Sequence, residues 1–439
     1  MTPSVGETDV PPESGAQKSV TSVMSFFRVA EIDTRLLGMI GALVIIWVLF
    51  NIMSGGTFLT ARNLWNLSVQ TSVVAIMATG MVLIIVTRNI DLSVGSMLAA
   101  VGMFMALLQA EWLPDWLGTG HWAIWIISLL AGIAMGAIIG GIQGAIVAYV
   151  GVPAFIVTLG GLLVWRGVAW WLASGRTIAP MDETFQVLGG GSKGTIGGTL
   201  TWILAIGGCV AVVLLMWRRR RKRLKFGFQP RPMWAEFGIG AVVIGAILAA
   251  AAVINSYPMP ELLARKYAEE NGIEWYDGLV IPLGLATPVL IVIGVAIIMY
   301  FISTRITFGR YVFAIGGNPE AALLAGIKTR WTIVKTFMIM GVLVAVAASV
   351  QIARLNAATS GLGQLAELYV IAAAVIGGTS LNGGVGTIPG AILGALVMQS
   401  LISGMVLMGV DAPLQDVVVG IVLVIAVAID TYYRKRVAA

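Results

Sequence analysis

The chain has 439 residues, of which 58% are hydrophobic and only 11% are charged, and its formal net charge is +6. A soluble domain of this length cannot bury so much apolar surface, which excludes a soluble globular protein and indicates a polytopic membrane protein. Because basic residues of membrane proteins concentrate in cytoplasmic loops, the positive charge is not by itself a sign of nucleic-acid binding.

The first 30 residues are polar and lack the basic segment followed by an apolar segment that marks a cleaved signal peptide. Their Pro, Ser, Thr and acidic residues are typical of a chain that cannot form a packed core. We therefore expect a disordered cytoplasmic tail at 1–30, followed by a transmembrane domain at 31–439.

Twelve apolar runs follow, most of them near the roughly 20 residues that cross the bilayer core as a helix. They predict an all-α, polytopic integral membrane fold with about 12 transmembrane helices, within a range of 10–12. The run at 366–380 is short and flanked by glycines, which favours a broken or re-entrant helix. The runs lie at 36–54, 67–87, 92–110, 122–149, 153–173, 200–217, 235–256, 281–304, 332–353, 366–380, 386–407 and 413–432.

The distribution of charge predicts the orientation. If the spans alternate from a cytoplasmic N-terminus, 20 of the 27 basic residues lie on the cytoplasmic side. This excess favours a topology with both termini inside the cell. The same topology places 305–331 in the cytoplasm and 257–280 outside.

Six consecutive basic residues, Arg218–Arg223, follow the sixth span directly. Such a run can bind lipid or nucleic acid, but it can also serve as a stop-transfer anchor after a span. We favour the anchor.

Glycine recurs every four residues on one face of the fourth span, at Gly132, Gly136, Gly140 and Gly144. This spacing allows the backbone of another helix to approach closely. Tight packing within the chain is favoured over a role in gating or dimerisation.

The segment 305–331 is basic, rich in glycine and set between two apolar runs. Within it, Asn318 can cap a helix, Pro319 suits the first helical position and Glu320 complements the helix dipole. Alanine and leucine residues then carry about two turns to Gly326, a natural stop. A helix this short is unstable alone in water, so its apolar surface indicates a docking partner.

The sequence has no phosphate-binding loop, HExxH zinc motif, nucleophile elbow or paired-carboxylate constellation. We therefore expect no catalytic residue, no metal site and no enzymatic activity in this chain.

Few charged residues lie in or near the spans, and each is a candidate functional residue. Asp91 stands where one span ends and the next begins, so Asp91 or Ser93 can cap the new helix and Arg88 can pair with Asp91. Arg166 follows Trp165, a combination that suits either a membrane interface or the wall of a sugar path.

Four stretches together resemble a known family, the permease subunits of ATP-binding-cassette monosaccharide importers in the ribose/xylose/galactose branch. The resemblance extends over about 36–435. The stretches are NIDLSVGS at 89–96, VPAFIVTLG at 152–160, GRYVFAIGGNPEAA at 309–322 and IGGTSLNGGVGT at 376–387.

The resemblance implies a multi-pass permease of the bacterial inner membrane, homodimeric and surrounded by lipid. It also implies a periplasmic sugar-binding protein and a cytoplasmic ATPase with two fused nucleotide-binding halves, which holds the ATP and Mg. No cofactor is expected in this chain, and no nucleic acid is expected as a partner.

The family's ATPase-coupling loop corresponds to part of 305–331, and the polar residues of the spans are candidates for the translocation path. The expected coupling residues are Gly317, Asn318, Pro319, Glu320, Ala321, Ala322, Leu323, Leu324 and Gly326. The candidate path residues are Asn89, Asp91, Ser93, Thr158, Trp165, Arg166, Gln351, Arg354, Asn356 and Asn382.

The chain departs from the usual ten spans of ribose-type permeases by an extra hairpin at about 200–256. Long permeases of this kind look most like the xylose branch, which makes D-xylose the leading substrate. Inserting two spans preserves the orientation of everything after them.

Two alternatives remain open. An ion-coupled secondary sugar carrier would also have twelve spans, with Glu367 and Asp416 as the available membrane carboxyls. A membrane-bound biosynthetic enzyme would need a cluster of acids or histidines at one membrane face, and the chain has a single histidine.

Overall fold

The computed structural model describes residues 34–191, 193–270 and 272–438. Within these ranges the chain forms helices joined by loops and isolated bridges, with no named β-strand. The tail expected at 1–30 lies outside the described residues.

Ten helices of the described part of the chain are long and apolar enough to cross a membrane, and two further apolar helices are shorter. The prediction of an all-α, polytopic membrane fold is confirmed. The number of full crossings and the orientation with both termini inside stay predictions.

The labelled helices are α1 Thr34–Met53, α2 Ala61–Val86, α3 Val94–Leu107, α4 Ala123–Ala145, α5 Ala154–Ala173, α6 Gly197–Lys225, α7 Met233–Asn255, α8 Glu261–Glu270, α9 Thr287–Thr304, α10 Thr307–Gly317, α11 Pro319–Leu324, α12 Thr329–Leu355, α13 Ala366–Ile376, α14 Ile388–Leu407 and α15 Ala412–Ala438. Further helical turns carry α3 on to Leu117 and α4 on to Val150.

Several helix starts follow from local capping chemistry. Thr60 Oγ1 accepts a hydrogen bond from the Asn63 amide (3.4 Å) at the start of α2. Thr387 Oγ1 accepts one from the Gly390 amide (3.2 Å) at the start of α14. Each bond satisfies an amide that has no partner within its own helix.

The chain divides into two compact units. Of the described residues, one unit comprises 34–38 together with Leu204–Ala249, and the other comprises those within 39–203 and 250–438. Within the first unit, the side chain of Met216 on α6 packs against Gly240 on α7.

The core of the second unit is built around α2. Every residue of α2 from Thr71 to Val86 is buried, which is expected for a helix that is apolar on all sides. The helices that pack on it are α9, α12, α13 and α14.

The glycine stripe of α4 packs against α12 within this unit. A Cβ atom at Gly136 would overlap the carbonyl oxygen of Gly341, and one at Gly140 would overlap that of Phe337. Gly144 also packs against the backbone of Val334. The predicted close helix approach is confirmed, and its partner is a helix of the same chain.

The short run near 366–380 forms the 11-residue helix α13, which rises about 16 Å and is too short to cross a hydrocarbon core of roughly 30 Å. A non-helical segment follows at 377–387, in which Thr379 and Ser380 are buried. The predicted broken helix is confirmed. Protein covers part of this irregular segment, while Asn382, Val385 and Thr387 are exposed.

Substituting alanine at Gly140 tests the contact between α4 and α12. The new methyl group must push two backbones apart, at a cost of about 1–3 kcal/mol. We expect the thermal unfolding midpoint of Gly140→Ala in detergent to fall by several degrees. Gly167→Ala, on α5, meets open space and is the matched control, with an unchanged or slightly raised midpoint. Equal midpoints for the two variants would contradict the close packing.

Candidate functional site

The short helix α11 is capped as its sequence predicts. Asn318 Oδ1 accepts a hydrogen bond from the Ala321 amide (3.0 Å), and Pro319 occupies the first turn. The helix ends before Gly326, whose φ of +79° suits glycine. The local structure expected for this segment is confirmed.

The helix before it, α10, was not predicted, since only one short helix was expected within 305–331. It is amphipathic, and its buried face consists of Gly309, Val312, Ile315 and Gly316. Two of these four residues are glycines, which sequence patterns associate with loops. Here they let other backbone segments approach instead.

The outer surface of α11 is apolar and uncovered. Leu323 is 63% exposed and Leu324 is 89% exposed, whereas Ala322 is buried. Trp331 at the start of α12 is also exposed, with Lys335 Nζ 5.5 Å from its ring centre. Two neighbouring leucines of α11 are thus exposed, and their role as a docking surface stays a prediction.

Arg88, just after the end of α2, binds the last residues of α10, which directly precede α11. Its Nε atom donates to the Gly316 carbonyl and its Nη2 atom donates to the Gly317 carbonyl, both at 2.9 Å. The predicted pairing of Arg88 with Asp91 is therefore wrong. Arg88 has a φ of +64°, and its guanidinium group is committed to α10.

A second link joins the same place to the segment 377–387. The Gly384 amide donates to the Val86 carbonyl (3.0 Å), and a Cβ atom at Gly316 would overlap that same oxygen. Only glycine at 316 allows this approach. The end of α10, the end of α2 and the segment 377–387 thus meet backbone to backbone.

The segment 87–93 follows α2, includes Arg88 and is ordered by hydrogen bonds between buried polar groups. Asp91 Oδ1 accepts from the Ser93 amide (2.9 Å) and from Ser93 Oγ (2.6 Å), and Ser93 Oγ accepts from Gln143 Nε2 (3.0 Å). Thr158 Oγ1 donates to the Ile90 carbonyl (3.2 Å). Asp91 therefore orders this segment through Ser93, and the side chain of Ser93 itself makes no capping bond to α3.

The Asp91 carboxyl lies between two spans and is completely buried, which raises its pKa, although the hydrogen bonds from Ser93 act in the opposite direction. Its second oxygen, Oδ2, has no hydrogen-bond partner among the described residues. An acid in such a place is costly to ionise.

A cavity of about 450 Å³ lies beside α2, α12, α13 and α14. Two predicted path residues, Gln351 and Arg354, line it. Five other polar residues in its wall were not predicted: Gln70, Thr359, Gln364, Tyr369 and Gln399. Gln399 Nε2 donates to Gln70 Oε1 (3.1 Å), so two side-chain amides, one from α14 and one from α2, form a pair.

Arg166 on α5 stabilises a loop in the wall of this cavity. Its Nη1 atom donates to the carbonyls of Ser360 (2.8 Å) and Leu362 (2.6 Å), in the loop that contributes to the cavity wall. Trp165, its neighbour, is partly buried against the core. Arg166 thus binds the backbone of a loop that lines the cavity.

The remaining candidates lie elsewhere. Asn356 Oδ1 accepts from the Met181 amide (2.8 Å) and fixes a loop. Asn382 is exposed in the segment 377–387. The ten predicted path residues therefore lie at several places, and their role in a path stays a prediction.

Contacts connect the segment 87–93 to the cavity. A Cβ atom at Gly95, in the first turn of α3, would overlap Glu367 Oε2 and the Gly363 carbonyl. Gly363 lines the cavity, and Glu367 lies on α13. A continuous chain of contacts therefore leads from α11 through Arg88 to the polar cavity.

A family model described as "Branched-chain amino acid transport system / permease component" matches residues 63–427. The chain is 35% identical over 415 residues to the xylose transport system permease protein of Haemophilus influenzae, covering 93% of this chain and 100% of that protein.

Two further relatives come from Escherichia coli K12. Its xylose transport system permease protein is 34% identical over 423 residues, which is 96% of this chain and 98% of the relative. Its ribose import permease protein is 31% identical over 391 residues, which is 89% of this chain and 92% of the relative. No solved structure matches the chain significantly.

Two substitutions at Asp91 separate a structural role from a chemical one. Asp91→Asn keeps an oxygen for both Ser93 donors, so we expect unfolding in detergent at nearly the wild-type temperature. Asp91→Ala leaves the buried Ser93 amide without its acceptor, while Ser93 Oγ can still donate to Gln143 Oε1 (3.1 Å), so at a cost of about 1–3 kcal/mol the variant should unfold several degrees lower. Equal unfolding temperatures for wild type and Asp91→Ala would contradict the ordering role.

Proposed function

The chain belongs to the family of branched-chain amino acid transport system permease components, and we propose that it is the transmembrane permease of an ATP-driven monosaccharide importer. The proposed sugar is D-xylose. The observation that carries this proposal is the similarity to two xylose permeases, at 35% and 34% identity over 93% and 96% of the chain.

The energy for transport must come from a partner. This sequence contains no phosphate-binding loop. The proposed partners are a cytoplasmic ATPase with two fused nucleotide-binding halves, a periplasmic binding protein that delivers the sugar, and a second permease copy. ATP and Mg are bound by the ATPase.

The ATPase docks on α11. The exposed Leu323 and Leu324 enter a cleft of the ATPase, and burying two leucines contributes about 1.5–3 kcal/mol each. The Asn318 cap and Pro319 hold the helix in a fixed conformation before docking, which lowers the entropic cost of binding.

Movement of α11, with the ATPase docked on it, is transmitted to the sugar pathway through Arg88. Its two hydrogen bonds to Gly316 and Gly317 connect α10 to the segment 87–93, and the close contact at Gly95 connects that segment to Gly363 at the cavity. Closure and separation of the ATPase halves therefore rock these elements between outward-open and inward-open states.

The cavity suits a neutral sugar. Amide side chains such as Gln70, Gln351 and Gln399 both donate and accept hydrogen bonds, as hydroxyl groups require. The wall contains Arg354 but no acidic residue among the described lining residues. Selectivity can reside in the binding protein, so the permease needs only weak contacts.

The alternative is an ion-coupled secondary sugar carrier, for which buried carboxyls are the relevant observation. Asp91 and Glu367 are both buried. Asp416 accepts a hydrogen bond from Tyr369 (3.3 Å).

Uptake of radiolabelled D-xylose tests the proposal and its alternative together. The chain is expressed with its partner ATPase and binding protein in a host that lacks its own xylose transporters. We expect uptake that continues when a protonophore collapses the membrane potential while ATP is maintained. Uptake that stops under these conditions favours the carrier, and the absence of xylose uptake with intact ribose or galactose uptake overturns the substrate.

Two variants distinguish the docking of the ATPase on α11 from the transmission of movement from α11 to the cavity. Leu324→Asp places a charge in the docking surface, so the ATPase should no longer co-purify with the permease. Leu262→Asp, at another exposed leucine on α8, is its control and should retain the ATPase. Arg88→Ala should also retain the ATPase but lower xylose uptake about tenfold or more, because two charge-assisted hydrogen bonds are lost.

Arg62→Ala, at an exposed arginine at the start of α2, is the control for Arg88. It should transport at the wild-type rate. Normal xylose uptake by Arg88→Ala would contradict the proposed transmission of movement through Arg88, whether or not the ATPase docks normally.

A further inference from the structure

The segment 257–280, which the predicted topology places outside the cell, is closed at its base by backbone hydrogen bonds. The Met259 amide donates to the Ile281 carbonyl (2.8 Å), and the Leu283 amide donates to the Tyr257 carbonyl (3.2 Å). A segment whose two ends are joined in this way forms a compact loop. Its shape is therefore set by its own backbone.

Within this loop, α8 turns two small residues inward. Ala264 and Ala268 are its buried residues, and the Ile273 amide donates to the Ala268 carbonyl (2.8 Å) where the helix ends. Together with the residues after this turn, α8 encloses a cavity of about 370 Å³, which we call the outer pocket. Its volume falls in the range of small-molecule sites, which is about 300–1,000 Å³. The lining residues are Pro258, Met259, Glu261, Ala264, Trp275, Asp277, Gly278, Leu279 and Val280.

Trp275 contributes an aromatic ring and a hydrogen-bond donor to the outer pocket. Its Nε1 atom is buried and has no hydrogen-bond partner among the described residues. An indole N–H can only donate, and a buried one normally finds an acceptor. A ligand with an acceptor oxygen in the pocket would supply that partner.

The charged groups of the pocket indicate the charge of the ligand. Two acids, Glu261 and Asp277, line it. Arg265 Nη2 donates to Glu261 Oε1 (2.7 Å), and Arg265 Cζ lies 5.3 Å from the centre of the Trp275 ring. The guanidinium group thus offsets Glu261 and already makes the cation–π contact that an organic cation would need. The second carboxylate, that of Asp277, repels an anion.

A divalent metal ion does not suit this pocket either. Arg265 would repel it, and the described part of the chain contains no group of three or more His, Cys, Asp or Glu residues that could hold a metal ion. A neutral ligand is therefore favoured.

The hydrogen-bonding groups of the pocket suit a ligand with several hydroxyl groups. Carboxylates only accept hydrogen bonds and the Trp275 N–H only donates, whereas a hydroxyl group does both. The indole ring and the side chains of Leu279 and Val280 offer apolar surface to the C–H faces of a sugar ring. This combination of one ring, one donor and carboxylate acceptors matches a monosaccharide.

We propose that the outer pocket binds a neutral monosaccharide. It shares no lining residue with the cavity beside α2 and α12, so it is a second and separate sugar site. The choice of D-xylose as the probe rests on the proposed function, but binding to this pocket requires neither the ATPase nor the binding protein.

The test measures protection of a thiol in the pocket of the full-length permease in detergent. With Cys209 replaced by Ser, Val280→Cys places a single thiol in the lining. D-xylose should slow alkylation of this thiol roughly threefold or more, because a ligand in a pocket covers the lining. Leu262→Cys, at an exposed residue of α8 outside the lining, is the control, and D-xylose should leave its alkylation rate unchanged.

A second substitution tests the role of Trp275. Trp275→Phe keeps an aromatic ring but removes the N–H, which donates to no described residue, so the loop loses no hydrogen bond. In the Val280→Cys protein, the D-xylose concentration that gives half-maximal protection should rise roughly fivefold. Tyr276→Phe, at an exposed neighbour outside the lining, is the matched control and should leave this concentration unchanged.

Three results would overturn the proposal. The first is no protection of the Val280→Cys thiol by D-xylose, D-ribose or D-galactose. The second is equal protection of the Leu262→Cys thiol, which would mean a general effect of the sugar. The third is stronger protection by choline or Ca²⁺ than by any sugar, which would identify a cation as the ligand. Because the assay uses the permease alone, its outcome is separate from that of the uptake experiment.

Discussion

The hydrogen bonds from Arg88 to the carbonyls of Gly316 and Gly317 are the interaction on which the proposed coupling between α11 and the cavity depends. A helix of six residues cannot act as a lever unless its base is fixed to the body that it moves. Arg88 supplies that fixation, since one planar guanidinium binds two consecutive carbonyls. The backbone contact between Gly384 and Val86 adds a second attachment at the same place. Because Gly316 has no side chain, these segments lie close enough for both links to form.

The same principle recurs where the core is assembled. Gly136 and Gly140 bring α4 onto α12, and Gly95 brings α3 onto the loop and helix beside the cavity. In lipid, apolar helices gain little from burial against each other, so close backbone packing contributes much of the cohesion. Tight, glycine-mediated contacts also transmit displacement, because packed interfaces deform little. The packing that stabilises the fold is therefore well suited to carry movement from α11 to the cavity.

Features that depend on neighbouring residues could be predicted from the sequence. Contacts between distant segments could not. The cap at Asn318, the stop at Gly326 and the broken helix at 366–376 depend on neighbouring residues, and all three were predicted. The pairing of Arg88 with Asp91 was wrong because the true partners lie 228 and 229 positions away and only the fold brings them close. Gln70 and Gln399 were missed for the same reason, since they are 329 positions apart. The family was recognisable because four motifs retain their order, but no motif records which polar groups share a cavity.

The most direct measurement of the central claim is a pair of distances between spin labels in the assembled transporter, in which Cys209 is replaced by Ser. One pair joins α10 at Tyr311, an exposed residue outside the docking surface, to the segment 377–387 at Asn382, and the other joins two walls of the cavity at Thr359 and Gln399. If Arg88 holds the end of α10 rigidly, the first distance should be the same with and without a non-hydrolysable ATP analogue. The second distance should change. A first distance that changes while the cavity distance stays constant would contradict the account.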